Sequence, residues 1–324
     1  MTILDAIPKA YRDHTVGFPR GWYCVADSDQ VSADAMLPVS YLNRQLVVYR
    51  DTTGAPHVAD AYCPHLGAHL ASADGCIDNG EILCPFHKWR FDTADGSCAS
   101  IPYSDSVPPR AKLETFATIE FAGLVMMWWD PTGGEPGPPP FDPLEANADK
   151  LWLSHSAMRF ETTVPLRDLF ENAFDTAHIQ QLHRSVFLPE IARLDKMPYG
   201  LEVELSPSQE GERSKIDQTK FNFSGVGMST MLSLGEGFGF LAYTTVTPID
   251  DERTDMHVRM FIMDTGSEEL NEQMGSAFAD RIRIEIEQDM KVLNYKKHIE
   301  RPVLCRGDGP VMKWRRYVAE LYGE

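Results

Sequence analysis

The chain has 324 residues, 43% of them hydrophobic, with a formal net charge of −18. That length is ample for two buried cores, and acidic residues spread along it argue against nucleic acid or an anionic membrane surface as partner. The longest strongly apolar run, 121–129, falls far below the ~20 residues that span a bilayer.

At the N-terminus, Asp5, Lys9 and Arg12 stand where a secretory leader would be apolar. Residues 21–129 then read as short strands between turns. The stretch 25–42 is turn-rich, 45–50 is a strand ending at Asp51-Thr-Thr-Gly54, Asp92-Thr-Ala-Asp-Gly96 is a hairpin signal, and 124–129 is a buried strand. Two loops in this region carry Cys63-Pro-His65 and Cys84-Pro-Phe-His87, with 18 residues between His65 and Cys84. A Rieske [2Fe–2S] centre requires this ligand set, two thiolates on one iron and two imidazoles on the other. The competing reading is structural zinc, which usually pairs its ligands as two Cys in one loop and two His in another. Here each loop offers one of each. Respiratory Rieske proteins add a cysteine to each loop and place Ser and Tyr hydroxyls on the cluster sulfurs. This chain has Ala68 and Phe86 at the first pair of places and Trp89 and Phe91 at the second. Without those hydrogen bonds a low potential is expected. Together with six cysteines that form no disulfide framework, the cluster predicts a reducing, cytoplasmic location.

Residues 131–140, rich in Pro and Gly, form the plainest linker. The expected organisation is a first domain at 1–132, a linker at 133–143 and a second domain at 144–324. In the second, 165–184 reads as helical and 186–195 carries no clear signal. Four or five long strands are expected over 199–264. An amphipathic helix is expected over 267–298, with Phe278, Ile282, Ile286, Met290 and Leu293 on one face and Pro302 ending it. A short helix at 312–322 closes the chain.

The first helical stretch contains Asp175, His178 and His183 in D-x-x-H-x₄-H spacing. Taken alone, such a run also fits a solvated helix face. Beside a redox centre, a 2-His-1-carboxylate iron site becomes the stronger reading. On a regular helix, positions i and i+5 lie about 140° apart, too far for one metal. Convergence of His178 and His183 therefore predicts a π-bulge or a helix end between them, with the carboxylate supplied from elsewhere.

C-x-H, C-x-x-H and N-x-x-D-x-x-H-x₄-H, in this order, resemble the oxygenase component of a Rieske non-haem iron oxygenase. Phe18-Pro-Arg-Gly-Trp-Tyr-Cys24, Cys84-Pro-Phe-His-Lys-Trp-Arg90, Ile101-Pro-Tyr103, Gln288-Asp289 and Arg301-Pro-Val-Leu304 resemble the 3-ketosteroid 9α-hydroxylases and cholesterol 7-desaturases. The resemblance implies an α+β fold: an N-terminal antiparallel β Rieske domain and a C-terminal helix-grip (START-like) catalytic domain with a curved antiparallel sheet. It implies a [2Fe–2S] cluster on Cys63, His65, Cys84 and His87, and a mononuclear Fe(II) on His178, His183 and Asp289, with Glu285 and Glu287 as competing acids. It implies that Asp175 bridges His87 of one copy and His178 of the next in a homotrimer, and that Asn172 stands near the open face of the iron. The implied partners are a separate NAD(P)H-dependent reductase or ferredoxin, O₂ and a hydrophobic small molecule.

Two departures bear on substrate: a shorter second domain, and Lys88 where an acid or Gly is usual. Phe221, Phe223, Met228, Met231, Phe238, Phe240 and Tyr243 are either pocket lining or sheet core. Alternatives are an aromatic-ring or O-/N-demethylating Rieske oxygenase, and a non-catalytic Rieske electron carrier or ligand-binding module, which would not need His178, His183 and Asp289.

Overall fold

The computed structural model describes residues 17–185, 190–206, 216–305 and 307–323. Asp5, Lys9 and Arg12, on which the reading of the leader rests, lie outside them, as do parts of 186–195 and 199–264. The described residues divide into two compact units, 22–136 and those from 137 onward, with 17–21 belonging to the second. The division falls within the stretch expected as linker, but the segment before Gly21 was expected in the first domain. Its attachment is local: Arg20 donates its main-chain N–H to Leu321 O at 3.3 Å and its guanidinium to Glu320 O at 3.2 Å.

In chain order the first unit contains β1 (Gly21–Asp27), β2 (Leu37–Tyr41), β3 (Arg44–Arg50), β4 (Pro56–Asp60), β5 (Cys76–Asp78), β6 (Glu81–Leu83), β7 (Arg90–Asp92), β8 (Cys98–Ser100), β9 (Thr115–Phe116), β10 (Thr118–Phe121) and β11 (Leu124–Trp129). They form three sheets, ordered β1-β11-β10, β2-β3-β4-β9 and β5-β6-β7-β8. Leu46, Val47, Val48 and Tyr49 of β3 are fully buried, as a continuous apolar strand should be. The expected hairpin joins β7 to β8: Asp92 Oδ1 accepts the N–H groups of Ala94 and Asp95, and Gly96 turns at φ +75°. The stretch 25–42, expected as turns, holds the end of β1 and all of β2. The two Cys–His loops follow β4 and join β6 to β7. Tyr49, Leu70, Ile82 and Phe91 pack with Cys63 and Cys84 in one core.

The second unit contains α1 (Pro143–Ala146), β12 (Trp152–Thr162), α2 (Leu166–Leu169), a 3₁₀ turn at Glu171–Phe174 and α3 (Thr176–Gln181). After these come β13 (Ile191–Met197), β14 (Gly200–Leu205), β15 (Ile216–Ser224), β16 (Met228–Gly235), β17 (Phe238–Pro248), β18 (Thr254–Met263), α4 (Glu268–Leu293) and α5 (Val311–Tyr322). The sheet order is β12-β18-β17-β16-β15-β14-β13, antiparallel at every pairing. Among the described residues, five strands lie within 199–264, as expected. The edge strands β12 and β13 gave weaker signals because their exposed positions carry Ser154, Arg193 and Lys196 among the apolar ones.

Residues 165–184 fold as three short pieces. The break before α3 lies at Asp175, whose φ −101° and ψ +87° are not helical. Helix α4 stops at Leu293 rather than 298 because the next residue is tied elsewhere. Asn294 Oδ1 accepts from Thr162 Oγ1 at 2.9 Å and from Thr163 N at 3.0 Å, pinning the helix end to the end of β12. Near its other end, Gly275 lets α4 lie on β12: a Cβ there would come within 2.2 Å of the His155 ring.

Candidate metal centres

The two Cys–His loops share one backbone geometry. In each, the N–H four residues after Cys bonds the Cys carbonyl, Gly67 to Cys63 at 3.0 Å and Lys88 to Cys84 at 3.1 Å. The Cys N–H in turn bonds the carbonyl five residues on, Ala68 or Trp89, at 2.9 Å in both cases. The fourth position is left-handed in both loops, φ +74° at Gly67 and +58° at Lys88. Glycine adopts that conformation without penalty. Lys88 does so with its ammonium paired to Asp74.

This geometry sorts the ligands by kind. Cys63 and Cys84 are buried and their thiols touch; burial, with Cys84 adding to it, pushes the Cys63 thiol up to about 12. His65 and His87 are only half-buried, with ring centroids 4.6 Å apart. Sulfur meets sulfur inside and imidazole meets imidazole outside, which suits a two-iron cluster with unlike ends. A tetrahedral zinc would draw all four donors to one point. Among the described residues, the donors that gather within 4.8 Å of one another are not these. Trp89 stacks on His65 (4.5 Å, 9°) and donates its indole N–H to Tyr103 OH at 2.8 Å. That N–H is therefore committed to Tyr103, and the segment Ile101-Pro-Tyr103 has its use in steadying Trp89.

The second centre is where three donors do gather: His178, His183 and Asp289. Helix α3 ends at Gln181, and His183 N bonds His178 O at 3.4 Å, an i→i+5 contact. The expected helix end and the π-type bond both occur here, and the rings stand 5.1 Å apart at 76°. The other nitrogen of each ring is held. His178 Nδ1 donates to the main-chain carbonyl of Asp175, and His183 Nδ1 donates to Gln288 Oε1 at 2.9 Å. Both Nε2 atoms are thus left with lone pairs for a metal. The hydrogen bond to His178 was expected from the Asp175 carboxylate; the carbonyl makes it instead. Asp175 sits at the N-cap of α3 without a capping hydrogen bond.

Asp289 Oδ1 is buried, accepts no hydrogen bond, and lies 3.3 Å from His183 Nε2. Burial pushes this carboxyl up, while His183, His178 and the Asn172 amide pull it down. A buried carboxylate oxygen without a donor, facing two imidazole nitrogens, fits a divalent cation. Asn172 therefore stands beside the third donor. Glu171, unremarked in the sequence, is buried between Lys296 (2.7 Å) and Arg315 (2.6 Å). Asp168, fully buried, pairs with His298 at 2.7 Å. These pairs clamp the ligand-bearing segment to the chain after α4 and to α5.

A cavity of about 2000 Å³ lies between the sheet and α4 and reaches all three donors. Phe221, Phe223, Met231, Phe238 and Phe240 line it. Met228 and Tyr243 do not: alternation along β16 and β17 turns them to the opposite face, where Tyr243 OH bonds Asp142. Gln288 was quoted in the sequence only as the neighbour of Asp289; no spacing rule flagged it as a partner of His183.

Residues 21–116 match the Rieske [2Fe-2S] domain model, and residues 127–322 match that of the 3-ketosteroid 9alpha-hydroxylase C-terminal domain. A 3-ketosteroid-9-alpha-monooxygenase oxygenase component from Rhodococcus rhodochrous is 28% identical, covering 94% of this chain and 84% of the relative. A cholesterol 7-desaturase from Xenopus laevis is also 28% identical, over 94% of this chain and 72% of its own. Among solved structures, Pseudomonas putida NdmA with caffeine superposes at TM-score 0.75 with 19% identity, covering 93% of this chain and 90% of its own. Dicamba monooxygenase bound to dicamba superposes at 0.66 with 18% identity, covering 93% and 96%. At those identities the likeness is one of fold.

Proposed function

The chain belongs to the Rieske oxygenases whose catalytic domain is that of the 3-ketosteroid 9α-hydroxylases, and on that premise we propose that it hydroxylates or desaturates an apolar, steroid-like substrate. Enzymes of this family carry a [2Fe–2S] cluster and a mononuclear iron. We assign the cluster to Cys63, Cys84, His65 and His87, and the single iron to His178, His183 and Asp289. The observation that carries the reading is the orphaned Asp289 oxygen facing two oriented imidazoles at the wall of an apolar cavity. A non-catalytic carrier would have no use for it.

The mononuclear iron supplies the activation of dioxygen. The protein's residues do the rest. Gln288 and the Asp175 carbonyl fix the two ring tautomers, Asn172 steadies the third ligand, and the phenylalanines of β15 and β17 keep substrate in and water out. Asp175, whose side chain makes no cap, can hydrogen-bond His87 of a neighbouring copy while its carbonyl holds His178, so that one residue links the two centres. The exposed Leu66 (65%) and Phe86 (61%) beside the cluster histidines support a protein partner covering that face. We take the resting assembly to be a homotrimer, supplied by a separate NAD(P)H-dependent reductase or ferredoxin in the cytoplasm. No helix of the described residues is long and apolar enough to cross a membrane.

The test is turnover with a reconstituting reductase on a panel of 3-ketosteroids, sterols, methoxybenzoates and N-methylxanthines. Oxidation of the steroids or sterols is expected. Turnover confined to the aromatic or N-methyl compounds would replace this reading with demethylation.

A further inference from the structure

The cavity has two unlike ends, and their separation bears on what it holds. Its metal end is marked by Phe223, whose ring lies 5.1 Å from Phe174, the residue before Asp175. Strand register then sets the rows across the sheet. Phe223 pairs with Ser229; Phe221 pairs with Met231, which pairs with Ala242; Thr219 pairs with Ser233, which pairs with Phe240. The middle row is wholly apolar. The third row ends on Phe240, which stacks on Phe278 of α4 at 4.7 Å.

In that third row, Thr219 Oγ1 and Ser233 Oγ face each other at 3.1 Å, and both residues line the cavity. Two hydroxyls carry two protons, and their mutual hydrogen bond uses one. The other O–H is a donor, in a part-buried setting where leaving it unmet is unfavourable. Four strand residues separate this row from Phe223, about 13 Å along the sheet. On the helix side, eleven residues separate Phe278 from Asp289, roughly 16 Å. Of the other lining hydroxyls, Ser229 and Thr244 lie in the Phe223 row at the metal end, and Ser185, Ser206 and Thr265 lie outside these three rows.

Resting on the proposed oxygenase function, we infer that Thr219 and Ser233 are specificity residues that hydrogen-bond a carbonyl or hydroxyl oxygen at the far end of an elongated apolar substrate. Allowing for the hydrogen bond and the gap between metal and carbon, that oxygen lies on the order of 10 Å from the carbon attacked. A compact single-ring substrate would not span the two ends.

The test is equilibrium binding of 5α-androstan-3-one and of 5α-androstane, which lacks the oxygen, to the holoprotein and to a Thr219→Val/Ser233→Ala variant. The intact protein should prefer the ketone by about tenfold. The variant should bind both alike, with its affinity for the hydrocarbon unchanged. A ketone preference that survives in the variant, no preference in the intact protein, or binding of neither probe would overturn the inference. Iron content of the same samples reads the proposed function separately, since binding of these probes does not need the metal.

Discussion

At His183 the two ring nitrogens have separate duties, and a neighbour on α4 decides which is which. Gln288 accepts from Nδ1, so Nε2 faces Asp289 with its lone pair available. Replacing Gln288 by Leu removes that acceptor without touching a donor to the metal. Outer partners of this kind are worth about 10–100-fold in metal affinity. The expected outcome is weaker Fe(II) or Co(II) binding at the mononuclear centre by that factor, with the visible spectrum of the cluster unchanged. Unaltered affinity would mean that packing alone orients the ring. The two histidines were legible in the sequence from residue type and spacing, whereas Asp289 came only from the family resemblance, with Glu285 and Glu287 as competing acids. Gln288 was not, since an amide beside an acid on a polar helix looks like solvated surface until the fold brings His183 to it.

Among the elements, α5 and the broken helical stretch before it depend on one another. Trp314 is fully buried, stacks on Phe174 at 5.2 Å, lies 5.4 Å from Phe223, and donates its indole N–H to Arg167 O at 2.9 Å. Trp314→Ala should lower stability by about 3–5 kcal/mol. Because Phe174 precedes Asp175, the same change should loosen the mononuclear site before the cluster. Urea unfolding followed by cluster absorbance, with iron measured in parallel, reads both effects. The irregularity of 165–184 was foreseeable only in part. The i→i+5 spacing of His178 and His183 demanded a helix end, whereas the break at Asp175 carried no Pro or Gly to announce it. The overrun of α4 to 298 has a similar cause: no Pro or Gly stands between Leu293 and Pro302 to stop the helix, but Asn294 is bound to Thr162 and Thr163 across the unit.

For the whole molecule the claim is that two metal centres in two units serve one reaction. Composition and the linker made the two units legible. The grouping of residues 17–21 with the second unit was not legible, since the tie of Arg20 to the end of α5 is a pair of hydrogen bonds across 300 residues. Asp175 bears most directly on cooperation between copies. Asp175→Ala should keep both centres filled and lose nearly all turnover, with single-turnover assays showing a reduced cluster that fails to reoxidise in the presence of substrate. Normal product formation would mean that the centres communicate by another route. The most direct measurement of the central claim is iron and zinc per chain in anaerobically purified protein, set beside Asp289→Ala. The account predicts about three iron atoms per chain with a Rieske spectrum, falling to about two in the variant while the spectrum persists. Two irons in both proteins, or zinc bound at Cys63 and Cys84, would contradict it.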